Sequence, residues 1–118
     1  GHLIDSASNN QQKFIRTMES DGKSFLPYEQ DNWVHLQQYN QQEWTELLKL
    51  FEAYNIHIAH IIKYTRPSVL EHKIELEKDK TFTLEFIMSD YVEHLRHHLK
   101  AILPKAGISS KFKNIYNS

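Results

Sequence analysis

A chain of 118 residues, 40% hydrophobic and 25% charged, has the size and make-up of a single globular domain spanning 1–118, with core enough to stand without disulfide or structural-metal staples. Its net charge of −1 excludes a broad basic surface for nucleic acid, since the most basic stretch, 100–113, contributes only Lys100, Lys105, Lys111 and Lys113. The lack of cysteine excludes disulfides, zinc fingers and thiol nucleophiles, and no apolar run approaches the ~20 residues that span a bilayer. With no secretory leader in view either, a soluble cytoplasmic protein with no membrane or nucleic-acid partner is expected.

In chain order, the first predicted element is a helix from His2 to about Ser20. Ile4, Ala7, Gln11, Phe14 and Met18 recur at three- and four-residue spacing, and Gly22 stands where such a helix stops. Lys23 to Glu29, with Phe25, Pro27 and Tyr28, reads as a loop laid over the core. Asp31 can cap a short turn through Trp33 and Leu36. Asn40-Gln41-Gln42-Glu43 has the form of a capping box opening a long helix, whose stripe runs through Trp44, Leu47, Leu48, Phe51, Ile58 and Ile62 to about Tyr64. Arg66-Pro67 ends it, because the residue before proline is pushed out of the helical region. Ser68 to Phe82 is ambiguous: Ile74, Leu76 and the charges between them alternate, as in a short extended stretch or a loop. Thr83 then caps a third long helix from Leu84 to about Leu103, closed by Pro104 and Gly107, and the tail carries Phe112, Ile115 and Tyr116, expected to dock on the core. Three long amphipathic helices with connections of this length predict an all-α bundle with at least one crossover.

Eight histidines stand out in a chain of this length. In Tyr91-Val92-Glu93-His94-Leu95-Arg96-His97-His98, His94 and His98 lie four apart, about 6 Å along one helix face. That spacing offers two imidazoles to one ion, or equally two core histidines satisfied by backbone or tyrosine partners. Their stripe contains Ile87 and Tyr91 and predicts that both rings face the bundle interior, whereas His97 falls with Asp90, Glu93 and Lys100 on a solvated stripe. His57 and His60 share a mixed, solvated face with Glu46, Lys49 and Ala53. His35 and His72 carry no pattern, and His2 lies at the edge of its helix's apolar stripe, close to Asp5.

Three stretches together resemble the DinB-like superfamily, in its branch related to bacillithiol S-transferases. They are Gly1-His2-Leu3-Ile4-Asp5-Ser6-Ala7 with Asn10 and Phe14-Ile15-Arg16; Leu26-Pro27-Tyr28-Glu29 with Trp33 and Leu36; and Thr83-Leu84-Glu85 leading to Asp90-Tyr91-Val92-Glu93-His94 and His97-His98. The resemblance implies an up-down four-helix bundle with one divalent metal ion, zinc or nickel, held by three histidines. His2 matches the ligand of the His-Leu-x-Asp-Ser motif, and His94 and His98 match the pair on the last helix. The family's first helix has no counterpart here, so the resemblance leads one to expect a domain that is N-terminally incomplete or a bundle completed differently. Some members also carry a histidine where Gln11 or Gln12 stands.

Three neutral imidazoles leave coordination positions open, as in catalytic rather than closed structural sites. The expected function is therefore metal-dependent, small-thiol S-transfer or hydrolysis, with a small-molecule thiol or electrophile as partner and a homodimer as the assembly. Asp5 is the candidate for orienting a ligand imidazole; Asp90 and Glu93 are weaker ones, because they share the polar stripe with His97. The alternative is a non-catalytic metal-binding or interaction bundle, the latter expected to cover the Phe14 and Met18 stripe with a second copy. Individual catalytic residues beyond the metal ligands are not assigned.

Overall fold

The computed structural model of the chain describes residues 1–25 and 27–106, with side chains through Lys100. Helices dominate, in the order α1 (His2–Glu19), β1 (Lys23–Ser24), α2 (Gln30–Gln37), α3 (Trp44–Lys63), β2 (Lys73–Glu77), β3 (Lys80–Thr83) and α4 (Leu84–Ala106), with single 3₁₀ turns at Tyr39–Gln41 and Pro67–Val69. α1 is the hub, meeting α2, α3 and α4. Its inner face carries Ile4, Ala7, Phe14 and Thr17, all buried. Removing a side chain the size of Phe14 from water stabilises the fold by about 1.5–3 kcal/mol.

The chain leaves α1 through Gly22, whose φ of 82° is one that a side chain rarely tolerates. Its N–H donates to the Lys73 carbonyl at 2.8 Å, and the Lys73 N–H donates to Asp21 Oδ1 at 2.6 Å. This clasp lays β1 parallel to β2, Lys23 against Ile74 and Ser24 against Glu75. β3 pairs antiparallel on the other side of β2, with a bulge between Glu75 and Glu77 and Asp79 left-handed in the turn. The ambiguous segment is thus a hairpin in a small three-stranded sheet, a departure from the all-α expectation. Alternation decides it: Ile74, 1% exposed, points into the core while Lys73 and Glu77 point out.

α2 buries no side chain and ends at Gln38 with φ 53°. The expected capping box at Asn40 does not form. Asn40 and Gln41 belong to the 3₁₀ turn, and α3 starts from Glu43, whose side chain makes no cap hydrogen bond. Of the stripe predicted for α3, Phe51 and Ile58 are buried, but Trp44 is 61% exposed at the first turn. Thr83 does cap α4, its Oγ1 accepting the Phe86 N–H at 3.1 Å. Leu84, Ile87, Met88, Tyr91, Leu95 and Leu99 form that helix's buried stripe, and it extends to Ala106, past the Leu103 expected. Gly107 and the aromatic tail with Phe112, Ile115 and Tyr116 lie outside the described residues.

The three long helices meet at Tyr91. Its ring stands edge-on to Phe14 at 6.0 Å, and its hydroxyl donates to Asn55 Oδ1, while Asn55 Nδ2 donates to the Phe51 carbonyl at 2.9 Å. Phe14 is fully buried within its own chain, whereas Met18, further along the same stripe, is half-buried.

Candidate metal centre

His2, His94 and His98 line one cleft of about 350 Å³, between the first turn of α1 and the middle of α4. Leu3, Leu95 and Tyr91 form its inner wall, and Tyr28, in the loop before α2, and Gln30, the first residue of α2, close it. The two α4 histidines do not face the interior as their spacing suggests. Each lies one residue, about 100° of helix rotation, from Leu95 or Leu99, and those leucines take the core stripe. His94 and His98 are left on its rim, exposed to the cleft, with His97 on the outer side of the helix. His98 and His97 meet edge-on at 5.9 Å.

Two of the three imidazoles face a carboxylate. His94 Nε2 is 3.4 Å from Asp90 Oδ1, one turn back on α4, and His2 Nε2 is 3.4 Å from Asp31 Oδ1 on α2. Both rings are turned toward these partners, and among the described residues no three histidine or carboxylate side chains converge as a bound ion would require. In kind and number the donors nonetheless suit a borderline divalent ion: three imidazoles on one cleft, two of them with a carboxylate to fix the ring. Asp90, a weaker candidate than Asp5 by its polar stripe, is the one that stands beside a cleft imidazole, at the four-residue offset from His94 that the sequence shows. Asp31 gave no signal, because it reaches His2 only through the fold.

Asp5, expected beside His2, has other work. It is 2% exposed, and its Oδ1 accepts from the Tyr39 hydroxyl at 2.6 Å and from Gln37 Nε2 at 2.8 Å. Its Oδ2 has no hydrogen-bond partner among the described residues. Tyr39 lies flat against the chain's first residue, so close that a Cβ on Gly1 would fall 2.4 Å from the ring. The carboxyl therefore ties the first turn of α1, which carries His2, to the connection between α2 and α3.

The phenols around the cleft are held neutral. Burial raises the Tyr91 pKa well above the ordinary tyrosine value. Burial and then the hydrogen bond to Asp5 do the same for Tyr39, and burial with the nearby Asp5 charge raises Tyr28 more mildly. These groups donate hydrogen bonds rather than act as bases near neutral pH. Lys13 is pulled the other way, its pKa lowered by burial and partly restored by Asp90.

The remaining histidines serve elsewhere. His72 Nδ1 lies 2.9 Å from the Thr17 carbonyl, linking the sheet to α1, a role its sequence position did not suggest. His57 and His60 stack on the exposed face of α3, and His35 is exposed on α2. No helix among the described residues is long and apolar enough to cross a membrane. The chain matches no family model, no curated protein and no solved structure.

Proposed function

We propose that the cleft is a metal site of the DinB-like kind, in which His2, His94 and His98 hold one divalent ion, zinc or nickel, and that it serves transfer to or from a small thiol, or hydrolysis. One observation carries the proposal: His2 and the His94/His98 pair come from opposite ends of the described chain and line the same cleft. The ion would supply Lewis acidity, favouring the anionic form of whatever group occupies its open position.

The chain's own residues do the rest. Asp90 orients the His94 ring and Asp31 the His2 ring, which fixes the nitrogen each presents. Leu3 and Leu95 give the substrate an apolar wall, and Tyr28 offers a neutral hydroxyl as hydrogen-bond donor. An open cleft, rather than a sealed core position, favours the catalytic reading over a purely structural ion.

The test is metal content by elemental analysis of protein purified without added metal or a histidine tag, beside the His94→Ala/His98→Ala double variant. About one equivalent per chain, lost in the variant, is the expected outcome for a single three-histidine site. A metal-free protein that takes up neither added zinc nor added nickel would overturn the proposal.

A further inference from the structure

A second concavity, of about 360 Å³, lies between the C-terminal half of α1 and the last turns of α3, and shares no residue with the histidine cleft. Its α1 side is lined by Gln11, by Ile15, which is 40% exposed, and by the half-buried Met18, with the partly buried Ile61 and the buried Val69 opposite. Along its α3 side runs a ladder of rings at positions three and four apart. His57 and His60 stack with planes 13° apart and centroids at 6.1 Å, and Tyr64 follows His60 at 4.8 Å. Where the chain leaves α3, Arg66 completes the rim.

The charges at this groove are one-sided. No aspartate or glutamate lines it, and no carboxylate pairs with Arg66 among the described residues. The Lys63 ammonium, 5.6 Å from the Tyr64 ring centroid, adds a second positive charge nearby. An unanswered guanidinium is a planar fork that fits a carboxylate with two parallel hydrogen bonds. Imidazole and phenol faces beside aliphatic side chains favour a flat apolar body. A cation would meet like charge, and an alcohol, with a single neutral acceptor oxygen, would neither balance the guanidinium's charge nor match its two-pronged fork.

We propose that this groove binds a small aromatic carboxylate, its ring lying on Ile15 and Met18 against the His60 and Tyr64 rings and its carboxylate on Arg66. The site is independent of the histidine cleft, and so is its test.

Isothermal titration calorimetry with 2-naphthoate, beside the neutral 2-naphthylmethanol, reads both halves of the proposal. Saturable binding of the acid is expected, weakened about tenfold or more in the alcohol and in Arg66→Gln, as loss of a charged hydrogen-bonded pair implies. Ile15→Glu, which puts a carboxylate on the α1 side of the groove, is expected to abolish it. Arg66 and Ile15 are both exposed, and unchanged circular dichroism of the two variants establishes that the fold is kept. The His94→Ala/His98→Ala variant is expected to bind the acid as the parent does. Equal binding of acid and alcohol, unchanged binding in Arg66→Gln, loss confined to the His94/His98 variant, or no saturation to about 5 mM would each overturn the proposal.

Discussion

Asp5 shows how a single side chain can be read correctly in type and wrongly in partner. Its three-residue offset from His2 suggested an imidazole partner on the same helix. The fold instead brings the Tyr39 hydroxyl, 34 residues on, to within 2.6 Å of its Oδ1. Tyr39→Phe removes that donor and leaves the buried carboxyl with Gln37 alone. The expected cost is about 1–2 kcal/mol of stability, measured as a lower urea midpoint followed by circular dichroism with the slope unchanged. A variant as stable as the parent would show that Asp5 gains nothing from the phenol. The histidines follow the same logic. Their spacing was legible, but their carboxylate partners were not, because Asp31 meets His2 only after α2 has folded back on α1.

Among the elements, those with a long period were the legible ones. α1 and α4 follow their apolar repeats, and the proline after Arg66 marks the end of α3 as expected. Thr83 was readable as a cap because its hydroxyl is the only one placed immediately before the Leu84 stripe. Thr83→Ala is expected to destabilise the protein by about 1 kcal/mol, with Thr83→Ser recovering most of that loss, when thermal or urea unfolding of the pair is compared with the parent. Equal losses in both variants would assign the effect to the methyl group rather than the hydrogen bond. β1, by contrast, is two residues long, and no periodicity exists in two residues. The face of α4 was misjudged for a related reason. A stripe of apolar residues has a width, and sequence alone did not tell its centre at Leu95 from its rim at His94.

At the scale of the whole molecule, three phenols with raised pKa values couple folding to alkali. In Tyr28, Tyr39 and Tyr91 burial is the first cause. As pH passes about 10, an unfolded chain releases these protons while the folded chain holds them, so the unfolded state binds fewer protons and stability falls with rising pH. Below that pH the contribution is fully present. In an alkaline titration of phenolate absorbance, some of the six tyrosines are expected to ionise with the helical signal intact, and the rest only as that signal is lost. Ionisation of all six in one step with the helices unchanged would contradict the burial described here. Helix dominance was legible at this scale. The clasp between Asp21, Gly22 and Lys73 was not, since it joins segments some fifty residues apart through backbone groups that every sequence possesses.

The contact between Tyr28 and Trp33, edge-on at 5.1 Å, has an optical consequence. The chain contains two tryptophans, Trp33 at 40% exposure and Trp44 at 61%, and neither belongs to the core. Indole emission from this protein is therefore a surface signal: it reports the neighbourhood of the histidine cleft through Trp33 and the start of α3 through Trp44, and leaves the interior dark.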